Sequence, residues 1–342
     1  MDRAVSDLSS LPSEGLTDEI GVDHESAVPL AASAARNRAR QAGLPGAMPD
    51  QAAVVASELA GNLVKHATGG TVFVQLLPHG EGVEITAVDR GPGIPDLDRS
   101  LADGYTTATG SLGAGLGAVR RIASEFAIRT HPGSGTLVNA RLTVPGAVRP
   151  TRWRTGSVCL PAQEERYCGD ACAVAETGDS LTGLVVDGLG HGASAAEAAR
   201  SALRSFRTAP DRPLDDVLAS LHRALRHTRG AAAGVLRLHS DRAEYCGIGN
   251  VRAVVLSGGE IGHRMAGQPG IVGWNVPTPR TRTVALGPGA GVVLHSDGIE
   301  SRWSHNPPTF LLRLPPPLLA AALAHRHRRI RDDATVLAVQ AA

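Results

Sequence analysis

The stretch Val185-Val186-Asp187-Gly188-Leu189-Gly190-His191-Gly192 delivers an acid from a β-branched run and then turns through three glycines into an alanine-rich segment. An Asp at the end of a buried strand can hold a cation, because the cation compensates a charge that is otherwise costly to bury. Gly188 has no side chain to keep its own carbonyl from the same ion. Three more acidic turns border short apolar runs. Cys168-Gly169-Asp170 precedes Ala171 to Ala175, Ser296-Asp297-Gly298 follows Gly291 to Leu294, and Arg331-Asp332-Asp333 precedes Val336 to Val339. Folded together, these turns gather carboxylates at one end of a sheet. Such oxygens suit hard cations, Mg²⁺ or Mn²⁺. Two such ions ~3.5–4 Å apart activate a water and clamp a phosphate for in-line displacement. One Asp-Gly reads equally well as a plain turn; the ordered set of four does not.

From about Thr155 onward the chain resembles the magnesium-dependent serine/threonine protein phosphatases of the PPM type, in their bacterial SpoIIE/RsbX-like branch. The matching pieces are Gly169-Asp170, Asp187 to Gly192, Ser296-Asp297-Gly298 and Asp332-Asp333-Ala334-Thr335, with Gly247 to Arg252 and Pro269 to Gly273 as supporting turns. The resemblance implies that Asp187, the Gly188 carbonyl, Asp297 and Asp332 hold two Mg²⁺ or Mn²⁺ ions. It also places Asp170 in or just behind that shell and Asp333 beside it. Larger relatives receive the phosphate on an arginine, and Arg166 lies nearby in sequence without matching the spacing.

A second constellation lies upstream. Between Pro49 and the Gly69-Gly70 pair the pattern predicts a helix to Ala67. At ~3.6 residues per turn, Glu58, Asn62, Lys65 and His66 line one side, with Val54, Val55, Leu59 and Leu63 on the buried side. Taken alone, the polar stripe is better explained as the solvated face of an amphipathic helix. The segments downstream of the helix give the stripe a context. Strands at Thr71 to Leu77 and Val83 to Val88 deliver Asp89-Arg90-Gly91-Pro92-Gly93, a Gly- and Thr-rich loop runs from Asp98 to Leu112, and Gly113, Gly115 and Gly117 open a helix that heads toward Phe126. Glycines at a helix N-terminus let backbone N–H groups approach phosphate oxygens.

This order, closed by Gly135-Thr136, resembles the GHKL ATPase/kinase fold and within it the RsbT-like switch kinases, over roughly residues 18–145. The resemblance implies that Asn62 holds the Mg²⁺ of Mg-ATP and that Asp89 reads the adenine amino group. Gly93 makes room for the base, Gly91 belongs to the same nucleotide-binding turn, and Gly113, Gly115 and Gly117 cradle phosphates. Thr136 stands near the adenine-side hydrogen bonds, Glu58 is the general base for a Ser/Thr hydroxyl, and Lys65 and His66 lend positive charge. The Asp98–Leu112 loop is the expected ATP lid.

Composition narrows the classes. Lys+Arg of 34 against Asp+Glu of 33 leaves a net charge of +1, so neither a nucleic-acid nor a membrane partner is indicated. The four cysteines make no C-x-x-C pair and read as buried thiols in a reducing compartment. With no apolar leader and no membrane-length run, a cytoplasmic protein is expected. At 342 residues the chain has room for two domains.

The expected fold class is α+β: a flexible tail (1–17), a GHKL (Bergerat) α/β sandwich (18–145), a linker (146–154) and a PPM-type αββα phosphatase sandwich (155–342). Beyond these, the basic run His325 to Arg329 reads as a solvated helix end, and Pro307-Pro308 and Pro315 to Pro317 read as interruptions.

The function implied is a Ser/Thr protein kinase joined to a metal-dependent phosphoserine/phosphothreonine phosphatase. Its implied substrates are STAS-domain anti-anti-sigma or stressosome proteins, with a sigma factor or a separate phosphatase as further partners. The alternative is a phosphatase whose N-terminal domain binds nucleotide without transferring phosphate. The short linker points to gating of one domain by the other, for which deletion of residues 1–150 is the direct perturbation.

Overall fold

Alternating β-branched and aromatic residues build the first sheet. In the computed structural model, which describes residues 16–77, 82–97, 101, 115–144, 146 and 152–342, β1 (Asp18–Val22), β2 (Gly70–Leu76), β3 (Gly82–Val88), β4 (Glu125–His131) and β5 (Gly135–Thr143) pair antiparallel in the order β1-β2-β3-β5-β4. Two helices, α1 (Ala27–Gln41) and α2 (Met48–His66), cover one face. Ala27, Ala31, Ala35 and Ala39 recur every four residues along α1, all buried, and this stripe without bulk lets α1 lie close against α2. The Arg38 guanidinium clasps Asp18 at 2.7 and 2.9 Å and ties α1 to the edge strand. A shorter helix, α3 (Gly115–Ile122), packs against α2.

Two further antiparallel sheets of five strands form the C-terminal part. One comprises β7 (Asp170–Thr177), β8 (Ser180–Gly188), β9 (Ala231–Leu238), β10 (Arg242–Ile248) and β13 (Arg282–Ala285). The other comprises β6 (Trp153–Leu160), β11 (Arg252–Ser257), β12 (Glu260–Ala266), β14 (Gly291–His295) and β15 (Ala334–Ala341). Their inner faces meet through Val185, Leu236, Tyr245, Val255, Leu294 and Leu337. Helices α4 (Ala193–Thr208) and α5 (Leu214–Ala224) cover the outer face of the β8 sheet. After the single turn α6 (Thr309–Leu312), helix α7 (Pro316–His327) covers the outer face of the β6 sheet. This is the αββα sandwich.

Helix α7 belongs to both halves. It touches β6 and β15 on one side and β3 and β5 on the other, so it is packed between the two parts of the chain. Phe73, Val88 and Leu137, from the face of the first sheet that α1 and α2 leave free, share one core with Leu318, Leu319 and Leu323. Pro316 and Pro317 open the helix at positions where no N–H is needed. The run Leu318 to Ala324 is then buried all round. A close approach is built in at Gly156 of β6, where a Cβ would stand 2.3 Å from Pro317 Cα.

Polar residues of the same sheet face close the junction. Glu84 accepts from Gln75 Nε2 at 2.7 Å and from Arg141 Nε at 2.6 Å. Gln75 also donates to the Ser157 carbonyl at 2.7 Å, and Arg141 donates to the Thr155 carbonyl at 2.6 Å.

Several expectations are corrected. Thr17, placed in the flexible tail, is buried, and its amide and hydroxyl bond the Cys159 main chain at 2.9 and 3.0 Å. Trp153 and Arg154, placed in the linker, lie in β6. Val54, assigned to the buried side of α2, is 46% exposed, because Ala52, Val55, Ala56 and Leu59 turn inward instead. Helix α3 stops at Ile122, short of Phe126, which lies in β4 as the second residue of that strand. Pro315 to Pro317 start a helix rather than interrupt one, and His325 to Arg328 are partly buried at its end, against the first sheet. Deleting residues 1–150 would bare the shared core, so that truncation cannot report on gating. Residues 1–15, Gly113 and the expected lid, apart from Leu101, lie outside the described residues.

Candidate functional site

Two polar centres lie on opposite sides of α7. The first sits where β3 ends. Asp89 is buried, and its Oδ1 accepts from the Gly91 amide at 2.6 Å and the Thr136 amide at 3.2 Å. Two backbone donors on one oxygen fix the carboxyl and leave Oδ2 for a ligand. Burial raises the Asp89 pKa, while those two amides and Arg326 oppose the rise. Close packing explains the glycines here. A Cβ on Gly135 would stand 2.2 Å from the Asp89 carbonyl, and one on Gly93, at φ +83°, 2.9 Å from the His131 carbonyl. Thr130 Oγ1 accepts from the Ile94 amide at 2.8 Å and lies 3.1 Å from Thr136 Oγ1.

Glu58 and Asn62 are half-buried one turn apart on α2, and Lys65 and His66 at its C-terminal end are exposed. Gly91 adjoins the end of that helix: a Cβ there would meet the His66 carbonyl at 3.3 Å. Gly115 and Gly117 open α3, which packs on α2. Glu58, Asn62, Asp89, Gly91, Gly93, Gly115, Gly117 and Thr136 thus sit on neighbouring elements.

The second centre lies at the ends of β7, β8 and β14. Asp170 and Asp187 are cross-strand partners, and the Gly188 amide donates to the Gly169 carbonyl at 3.0 Å. Burial first, then repulsion from Asp297 and Asp332, pushes the Asp187 carboxyl up to about 8, with a hydrogen bond from Asn250 opposing the rise. The Asp332 pKa is raised by burial and by Asp297. Asp170 is held well above the ordinary carboxylate range by burial and then by Asp187. Its Oδ2 accepts from Ser296 Oγ at 2.6 Å, whereas Oδ1 is buried with no partner.

An orphaned buried oxygen beside mutually repelling acids is what a missing positive charge leaves behind. The donor set is all oxygen, which fits Mg²⁺ or Mn²⁺. Among the described residues no three His, Cys, Asp or Glu side chains form a cage by themselves. The Gly188 carbonyl and solvent would complete the shell. A Cβ on Gly188 would lie 2.6 Å from the Ala195 carbonyl, so only glycine fits that turn.

Asp333, expected beside the metal shell, lies against the loop that carries Asp170. Its Oδ1 accepts from the Ala162 amide at 2.9 Å and its Oδ2 from the Gly169 amide at 2.9 Å. Both oxygens are taken, so Asp333 clamps the loop that carries Asp170.

Asn250 lies within the Gly247 to Arg252 turn, whereas Arg229 carries no sequence signal of its own. Asn250 reaches Asp187 from the turn between β10 and β11. Arg229 Nη1 lies 3.2 Å from where a Gly190 Cβ would be, and its side chain is exposed. Arg166 instead stacks over Tyr167, 5.7 Å from the ring centre.

Residues 22–142 match the family of histidine kinase-like ATPase domains, and residues 177–342 match the family of stage II sporulation protein E (SpoIIE). The serine/threonine-protein kinase RsbT of Bacillus subtilis (strain 168) is 37% identical over 107 residues, spanning 31% of this chain and 80% of that protein. Through its N-terminal domain, this chain belongs to the RsbT-like kinase family. Its C-terminal domain is of the SpoIIE type. A chain from a solved structure of the bacterial stressosome, described as a modular system adapted to control secondary messenger signalling, is 30% identical. It is covered completely, spans 55% of this chain and superposes with a TM-score of 0.51. A structure of RsbX in complex with magnesium is 21% identical, covers 57% of this chain and 98% of its own, and has a TM-score of 0.49. The chain therefore joins an RsbT-like, kinase-like ATPase domain to a SpoIIE-type domain. Among the described residues no helix is long and apolar enough to cross a membrane.

Proposed function

We propose that the RsbT-like domain transfers phosphate from Mg-ATP to a Ser or Thr of a STAS-domain partner, and that the SpoIIE-type domain removes phosphate from such a residue with two Mg²⁺ or Mn²⁺ ions. The observation that supports the phosphatase reading is the repulsion of the buried Asp187 carboxyl by Asp297 and Asp332, with the partnerless Asp170 oxygen on the paired strand. Bound there, the ions supply the charge that polarises a phosphate ester and the attacking water. Asp187, Asp297, Asp332 and the Gly188 carbonyl hold them, Asp170 and Ser296 orient the floor, and Asn250 keeps Asp187 in place. Arg229, on the rim beside Gly190, receives the phosphate.

On the other side, Asp89 and Thr136 select the base. Asn62 would hold the Mg²⁺ of Mg-ATP, and Glu58, one turn earlier on α2, would accept the proton of the incoming hydroxyl. Catalysis there rests on positioning and on stabilising the charge of the transferring group. The 37% identity to RsbT supports a kinase over a nucleotide-dependent binding module.

The phosphatase half is tested by Mn²⁺-dependent release of phosphate from a phosphoserine STAS protein. Loss of release in Asp187→Asn is expected; release that persists in EDTA would contradict the reading.

A further inference from the structure

The segment from His325 to Asp333 bonds to both centres. Arg90, the residue after the base-side Asp89, donates through Nη2 to the His325 carbonyl at 2.9 Å. Arg326 donates to the Ser134 carbonyl, in the turn just before Gly135 and Thr136. Helix α7 ends there, so its last carbonyls need outside donors, and the RsbT-like domain supplies one of them.

The chain then crosses to the other centre. The Glu300 amide donates to the His327 carbonyl at 2.9 Å, and the Arg329 amide donates to the Gly298 carbonyl at 2.7 Å, next to Asp297. The Gln163 amide donates to the Ile330 carbonyl at 2.8 Å, and Asp332 and Asp333 come directly after. Arg328 bonds both Glu19 of β1 and the Pro161 carbonyl, spanning the junction a second time. Helix α7 itself is clamped between two sheets, and a close-packed interior moves by shifting whole elements rather than by compression. These bonds form a continuous route from the Asp89 turn along this segment to the loops that carry Asp297 and Asp332. Arg326 Nε, buried with no partner, marks a contact that is incomplete as it stands.

We propose that residues 325–333 link nucleotide binding at the RsbT-like domain to divalent-cation binding at the SpoIIE-type domain, with Arg90 and Arg326 as the positioning residues of the link. The inference rests on the nucleotide and metal sites proposed above. Linkage is reciprocal, so each ligand alters the affinity for the other by the same factor.

The test is hydrogen–deuterium exchange of the full chain with and without Mg-ADP, on wild type, Arg90→Ala and Arg326→Ala. Slower exchange around residues 86–93 registers binding, and its absence in wild type would overturn the nucleotide site and this linkage together. With binding registered, altered exchange across residues 325–335 is expected in wild type and is lost in either variant. Unchanged exchange across 325–335 in wild type, or an undiminished response in both variants, would overturn the linkage alone. A second measurement uses fluorescent mant-ADP. Asp297→Asn should shift its Kd by about five-fold or more in the wild-type background, and by much less when Arg90→Ala is also present. An equal Kd for wild type and Asp297→Asn would overturn the linkage.

Discussion

Replacing Arg141 by Ala tests whether the two domains fold as one body. Its guanidinium bonds the buried Glu84 carboxylate at 2.6 Å and the Thr155 carbonyl across the junction at 2.6 Å. Burial alone would lower the Arg141 pKa, but Glu84 and then Glu125 outweigh it and hold it above its ordinary value. With Arg141 gone, Glu84 keeps only the Gln75 amide as donor. Breaking a buried pair from one side costs about 3–5 kcal/mol, since a charge is left uncompensated. The size of the melting shift depends on how much of the chain melts together. With an unfolding entropy of about 2.1 cal/mol/K per residue, a 342-residue unit should drop by about 4–7 °C, and an independent unit of about 130 residues by about 11–18 °C. The shared core around α7 requires the first result. Differential scanning calorimetry should show one transition moving by the smaller amount. Two transitions, of which only one moves and by the larger amount, would refute the shared core.

The carboxylate centre and its rim have consequences of their own. The metal-free Asp187 carboxyl, at about 8, lies above its unfolded value. Its neutral form therefore favours the fold at low pH, and that stability is lost as pH rises through about 8. In EDTA the melting temperature of Asp187→Asn should gain on wild type between pH 4 and 8; a constant difference would contradict the raised pKa. Gly298→Ala puts a Cβ 1.9 Å from the Asp333 carbonyl. It should cost about 1–3 kcal/mol and weaken Mn²⁺ binding in calorimetry, and unchanged Mn²⁺ affinity would count against this geometry. With Arg229 as the proposed phosphate receiver, Arg229→Ala should raise KM for a phosphoprotein about 10–100-fold with Mn²⁺ affinity preserved. An unchanged KM would take Arg229 off the phosphate.

The chemistry was legible where it is local. Acids at strand ends and glycines at tight turns announce themselves, because the turn and the ligand sit within a few residues of each other. Contacts between distant segments were not. Gln75, Glu84 and Arg141 are scattered polar residues on three strands, and only the helix from Pro316 to His327 turns the face they share into an interior. That helix hid its role because Leu318 to Ala324 show no polar side, and a helix buried between two sheets needs none. Asp332 and Asp333 look alike in sequence; the amides of Ala162 and Gly169, far away in the chain, separate a site acid from a structural clamp. Asn250 likewise reaches Asp187 only through the packing of other strands and turns.

Phosphotransfer from labelled ATP to purified STAS-domain proteins tests the kinase–phosphatase pairing most directly, in an Asp187→Asn background so that the second domain cannot erase the product. Label is expected on a Ser or Thr, abolished by adding Glu58→Gln, and removed again when wild-type chain is supplied with Mn²⁺. Demonstrated ATP binding with no label on any partner would contradict the pairing, leaving a nucleotide-binding module attached to a phosphatase.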